Sequence, residues 1–293
     1  MNRKLNPGIA FAIAAYAIWG LLPLFLKLLK PLPAPDILAH RILWSLVLLV
    51  ILAAIFRHGP ALWRIATTPR LMLTLTASAS LIGINWLCYI FAVNGGHVAQ
   101  ASLGYFINPL VNVLLGTLVL RERLGRIEGL AVALAACGVA FLAWEQGGVP
   151  IIPLTLAFSF GIYGLIRKLT PVDALDGLLI ETAILTPPSL LWLALAGTSL
   201  AHGPSFALLP AAGILTAIPL MLFAAAAKRV RYSDLGLLQY LAPTLQLILA
   251  VAVFGEVLST AQWAAFGLIW LSLAIYLTGA TLAARREAVV SPD

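Results

Sequence analysis

Apolar stretches of about 18 or more residues recur from one end of this chain to the other, as membrane-spanning helices require. No other feature restricts the fold as much. We place spans at residues 8–29, 36–56, 71–93, 98–119, 125–144, 150–168, 175–196, 208–227, 234–254 and 260–282. Of the 293 residues, 62% are hydrophobic and only 10% charged, and a soluble domain of this length needs far more charged surface. The expectation is an all-α polytopic membrane protein with ten transmembrane helices. No polar stretch is long enough to form a separate soluble domain.

The net charge of +7 would suggest nucleic acid in a soluble protein, but here Lys and Arg follow the loops. Of the 18, fifteen fall on one side: Arg3, Lys4, Arg57, Arg64, Arg70, Arg121, Arg123, Arg126, Arg167, Lys168, Lys228, Arg229, Arg231, Arg285 and Arg286. The other side has Lys27 and Lys30, and Arg41 lies within a span. The positive-inside rule then places both termini in the cytoplasm. "MNRKLNPG" leads into a long span without a small-residue cleavage site and reads as a retained first helix. Cys88 and Cys137 lie inside apolar runs and imply neither a disulfide framework nor a metal site. No cofactor is expected.

Shifting the sequence by 134 residues aligns its halves. Leu103 meets Leu237, Pro109 meets Pro243, Glu122 meets Glu256 and Leu124 meets Leu258. Leu matches are cheap in this composition, but the Pro and Glu pairs keep their spacing in both halves. Residues 1–146 and 147–293 therefore read as two five-helix repeats. An odd number of spans inverts the second, so Glu122 is cytoplasmic while Glu256 faces outward. Inverted repeats characterise secondary transporters, with the solute site near the midplane between halves.

Polar side chains inside spans usually face the bundle interior. Tyr105, Asn108 and Asn112 follow i, i+3, i+7 spacing and share a helix face. Gln239, with Tyr240 beside it, and Gln246 occupy the corresponding face in the second half. Pro109 and Pro243 each free a carbonyl one turn earlier and can kink their helices. Asn85, Trp86 and Tyr89 add to the third span, Trp19 to the first and Tyr163 to the sixth. Together they suggest a wet central cavity, although any single Asn or Gln serves equally well as interhelical glue. The Gly125/Gly129 pair reads as close helix packing, within the fold or in a dimer, and a monomer remains compatible with it.

"ILAHRILWS" (37–45) carries His40, Arg41 and Trp44 near the outer end of its span, with Glu181 at the matching inner place. Arg41 lies roughly 7 Å below that end. It is either a snorkelling headgroup anchor or a cation at the cavity mouth. His40 and Glu181 could carry protons if transport is proton-coupled.

"AAYAIWG", "ILAHRILWS", "IGINWLCYIFAVN", "ASLGYFINPLVN", "LAFSFGIYGLIRK", "GLLIET" and "LLQYLAPT" together resemble the RarD-type branch of the drug/metabolite transporter superfamily, over about residues 8–280. The resemblance implies two EamA-type five-helix repeats, termini inside, and a bacterial inner-membrane carrier that exports small metabolites. One departure is local: "GEVLST" (255–260) lacks the charged or polar residue that often follows Gly-Glu in the family.

The leading functional reading is export of small polar metabolites, amino acids first. Tyr, Asn, Gln and Trp suit zwitterions through hydrogen bonds and stacking. Drug efflux would favour a more apolar aromatic cavity. An intramembrane enzyme would need a nucleophile or metal cluster, which the scattered His40, His58, His97 and His202 do not offer. A channel would need a charged ring or filter loop. The short loops leave no room for an ATPase, and no phosphate-binding motif occurs.

Overall fold

The computed structural model describes residues 6–29, 32–94, 98–146, 151–196, 206–253, 255 and 259–290, and these are almost wholly helical. In chain order the helices are α1 (Pro7–Leu28), α2 (Ala34–Ile55), α3 (Gly59–Ala66), α4 (Pro69–Asn94), α5 (Val98–Leu118) and α6 (Arg126–Gln146). They continue with α7 (Ile151–Leu169), α8 (Ala174–Leu195), α9 (Leu209–Ala227), α10 (Tyr232–Gln239), α11 (Leu241–Ala252) and α12 (Thr260–Val290). Among the described residues, α1, α2, α4, α7, α8 and α9 are long and apolar enough to cross a membrane. Shorter apolar stretches, Leu103–Leu118 and Thr260–Tyr276, lie in α5 and α12. Phe91, Leu87 and Trp144 are exposed on the outside, as lipid-facing side chains would be.

Helix starts follow from local chemistry. Asn6 accepts a hydrogen bond from Gly8 N at 2.9 Å, satisfying one of the free amides that open α1. Prolines open α1, α2, α3 and α9 at positions where the missing N–H costs nothing.

Two details depart from the hydropathy pattern. The expected span 234–254 is two helices, α10 and α11, separated at Tyr240. Pro243 has no N–H for the Gln239 carbonyl, so the helix breaks there instead of merely kinking. Pro109, by contrast, sits within a continuous α5. The loop after α2 also folds into the short amphipathic α3. Its Ile65 is buried against Leu75 and Val172, while Trp63 is exposed, as expected of a helix lying at an interface.

The helices form two packing groups. One core draws on α1, α2, α4, α7, α8, α9 and α10. The other joins α5 and α6 to α10 and α12, and α6 packs directly on α12. Small residues permit the closest approaches. The Gly213 Cα faces the Trp44 backbone across α2 and α9, and Gly138 faces the Ala265 carbonyl across α6 and α12.

Charged groups gather at one end of the bundle. His58 Nδ1 meets Asp176 Oδ1 at 2.6 Å. Lys168 Nζ donates to Ala227 O at 2.7 Å and Val230 O at 2.6 Å, and Lys228 Nζ donates to Val172 O. Arg231 Nη1 pairs with Glu128 Oε1 at 2.8 Å. Glu122 accepts from the backbone N–H groups of Tyr232 at 2.6 Å and Ser233 at 2.9 Å, which caps α10. At the opposite end, Leu29, Ile37 and Leu209 form an apolar cluster. Lys30 and Glu256 lie outside the described residues.

Candidate functional site

A cavity of about 180 Å³ opens among the helices. The polar spacing of the sequence becomes geometry here. On α4, Asn85, Trp86 and Tyr89 face the cavity; on α5, one turn apart, Tyr105 and Asn108 do so; on α2, Arg41 does. The first half also contributes Tyr16, Trp19, Leu22, Pro23 and Leu26 from α1. The second half supplies Phe160 from α7, Thr216 and Leu220 from α9, Gln239 from α10, and Ala242, Pro243 and Gln246 from α11. The break at Tyr240 thus sits in the cavity wall.

Arg41 Nε donates to Thr216 Oγ1 at 2.8 Å, and its guanidinium lies 5.9 Å from the centre of the Trp86 ring. Among the described residues no carboxylate pairs with it; the ion pairs are those of His58, Arg167 and Arg231. Arg41 thus lines the cavity. Asn85 Nδ2 donates to Leu156 O at 2.8 Å and Ser159 Oγ at 3.0 Å, and Gln246 Nε2 to Trp19 O at 3.1 Å. Tyr89 and Tyr105 lie ring to ring at 5.8 Å.

Six of the residues singled out from sequence do not line this cavity. Asn112 is fully buried and donates to Gln239 Oε1 at 2.7 Å, so it joins α5 to α10 as interhelical glue. Tyr240 is buried at the helix break, with its hydroxyl on Phe106 O at 3.3 Å. Trp44 packs into the apolar end cluster with Leu29, Leu209 and Ala212. His40 is buried at 8% exposure on α2, away from the lining. Tyr163 and Glu181 belong to a separate buried cluster.

That cluster begins where the cavity ends. Phe160, which lines the cavity, packs on Phe223 and Tyr163 at ring distances of 5.1 and 5.9 Å. Tyr163 OH donates to Glu181 Oε2 at 3.4 Å, and Ser78 Oγ donates to Glu181 Oε1. Arg167 Nη1 lies 3.6 Å from Glu181 Oε1, while its Nη2 donates to Asp173 O and Ala174 O at 3.3 and 3.2 Å. Arg167 is 0% exposed, although its sequence position suggests a loop cation. Gly177 makes room for it, because a Cβ there would strike the guanidinium. An aromatic layer and a buried ion pair therefore separate the cavity from the charged end.

Sequence spacing gave no sign of Thr216, a lone hydroxyl in an apolar span, or of Phe160 and Leu220. Tyr16 had a faint signal, lying one turn before Trp19.

The model of the EamA-like transporter family matches residues 6–144 and again 148–278. An uncharacterized transporter of Pseudomonas aeruginosa is 46% identical over 292 residues, covering 97% of this chain and 98% of that protein. The protein RarD of Escherichia coli K12 is 46% identical over 290 residues, covering 97% and 98%. Among solved structures, a protein described only as such is 21% identical, with a TM-score of 0.75 over 96% of this chain and 100% of that one, and shares the fold. A helical bundle with apolar outer faces and an internal cavity lined by aromatic, aliphatic and a few polar side chains agrees with these matches: the chain belongs to the EamA-like transporter family.

Proposed function

We propose that the chain is a secondary carrier of the bacterial inner membrane. It exports small polar metabolites, amino acids first among those to test, by alternating access through the cavity. The observation that carries this reading is Arg41, a cation inside the bundle that lines open space without a carboxylate partner among the described residues. An Arg at a helix centre costs about 2.5–3.5 kcal/mol, and one roughly 7 Å below the end of its span bears part of that cost. A solute carboxylate would offset that cost in passing.

The cavity volume favours metabolites over drugs. At about 180 Å³ it lies below the roughly 300–1,000 Å³ of sites for drug-sized ligands. The wider architecture follows the same reading: ten spans in two inverted five-helix repeats, 1–146 and 147–293, with both termini cytoplasmic. Support comes from the family model matching twice in tandem, from both halves contributing to the lining, and from charged groups gathered at one end.

Counterflow into proteoliposomes tests the function. Vesicles preloaded with an unlabelled solute should accumulate its labelled form above protein-free controls. A panel of amino acids, organic acids, sugars and drugs in which nothing exchanges would end the carrier reading.

A further inference from the structure

The wall of the cavity is neutral or positive. Among the described residues no Asp or Glu lines it, and Arg41 is its one guanidinium. That guanidinium uses Nε on Thr216 and leaves its remaining fork without a carboxylate. A planar fork of this kind suits a carboxylate in bidentate contact.

A second group on the wall is also unsatisfied. Asn108 is 2% exposed, and its Oδ1 is buried without a hydrogen-bond partner. It stands one turn after Tyr105, and Tyr105 and Tyr89 are within electrostatic reach of Arg41. This buried acceptor thus shares a helix face with Tyr105, a neighbour of the cation, and a turn of its side chain would present it to the cavity. A buried carbonyl left unpaired is costly, so a solute that brings an O–H or N–H gains from meeting it.

Charge decides between those two donors. A neutral carbonyl satisfies a hydroxyl fully, but it cannot offset the charge of an ammonium held near Arg41 in a site of low dielectric. We propose that the cavity is a monoanion site, made for small monocarboxylates that carry a neutral hydrogen-bond donor such as a hydroxyl. Zwitterionic amino acids rank behind them, and cations are excluded. This rests on the cavity being the solute site of the carrier proposed above, and it moves hydroxy acids ahead of the amino acids named there.

The test compares solutes that share a carbon skeleton: lactate, alanine and alaninamide, then phenyllactate, phenylalanine and phenylalaninamide. The two series keep size from confounding charge. Counterflow is run at pH 6, below the α-amino pKa of about 7.7–8.0, so both amides are cations. In at least one series the hydroxy acid should exchange about tenfold faster than the amino acid, with no exchange of the amide. If the hydroxy acid leads by that margin in neither series, or if either amide exchanges, the proposal is overturned while the carrier stays intact. If no solute in the wider panel exchanges, the carrier reading falls and takes this proposal with it. Asn108→Asp adds the missing negative charge at nearly constant shape. It should move the ratio toward the amino acid and the amide, and an unchanged ratio would remove Asn108 from the account.

Discussion

Among the described residues, two arginines lie inside the bundle, and their surroundings differ. Arg167 is enclosed: Glu181, held by Ser78 and Tyr163, faces Nη1 as an ion pair without a hydrogen bond, two backbone carbonyls take Nη2, and Nε is sealed without a hydrogen-bond partner among the described residues. Arg41 has one hydrogen bond, an indole nearby and open space beyond. A charge surrounded by protein partners belongs to the folded structure, whereas one that faces a cavity is available to something that enters. Under the proposed function, the contrast puts stability at one end of the molecule and recognition in the middle.

The sharpest way to break this contrast is to remove the enclosed arginine. Arg167→Leu leaves Glu181 buried beside only hydroxyl groups, and losing one partner of a buried pair costs about 3–5 kcal/mol. We expect a large fall in the thermal midpoint of the detergent-solubilised protein. Adding Glu181→Gln should recover part of the loss, because the stranded charge is gone. If Arg167→Leu melted like wild type, the enclosed arginine would have no structural role.

Arg41→Gln should behave in the opposite way. It gives up a single charge-assisted hydrogen bond to Thr216, worth about 1.5–3 kcal/mol, but also removes a charge that is costly to hold in the bundle, so the two effects offset and the thermal midpoint should change little. Transport of a carboxylate should suffer much more. Hydrogen bonds to charged groups contribute about 1.5–3 kcal/mol, which corresponds to a rise of roughly 10- to 100-fold in the counterflow KM. A variant with normal KM would move Arg41 to the structural side.

A smaller effect comes from the charged end, through Glu122. Burial pushes its carboxyl upward, but hydrogen bonds from the Ser233 and Tyr232 backbone N–H groups and the Ser233 hydroxyl outweigh burial and hold it below its ordinary value of 4.5. With the folded pKa depressed, the carboxylate stabilises the protein fully above the unfolded value. That contribution fades as pH falls through the folded one. Capping at a helix N-terminus is worth about 1 kcal/mol. Glu122→Gln should lower the thermal midpoint slightly at neutral pH, and its gap to wild type should narrow as the pH falls below 4.5. A gap that widened in acid would reverse the sign of this argument.

The sequence carries the helices plainly, because lipid leaves few alternatives to a long apolar helix. It also carries the polar groups of the cavity, since residues one turn apart share a face. Where one function ends and another begins is not written in that spacing. Asn108 and Asn112 differ by about 6 Å along α5, yet one lines the cavity and the other is sealed against Gln239. Only the approach of α10, with Gly236 against the Pro109 carbonyl, decides between them. Arg167 misleads for a similar reason. Its place at a helix end suggests a solvated loop charge, and its burial depends on Gly177 of the neighbouring helix.

The smallest expected effect separates two tryptophans of similar appearance in the sequence. Trp86 lines the cavity under the Arg41 guanidinium, whereas Trp44, one turn after Arg41, packs with Leu29, Leu209 and Ala212 at the apolar end. Replacing Trp44 with Phe removes part of a partly buried ring, in a place where lipid or neighbouring side chains can fill the space. Its cost should stay near 1 kcal/mol, with transport within about twofold of wild type. Trp86→Phe removes a similar volume but weakens the indole face beside Arg41, a contact worth about 0.5–2 kcal/mol. It should therefore raise KM more than it lowers the thermal midpoint. If the two variants were indistinguishable in counterflow, with Trp44→Phe impaired as much as Trp86→Phe, the boundary between the cavity and the packed end would lie elsewhere on α2, and the assignment of Arg41 to the cavity side of that helix would have to move with it.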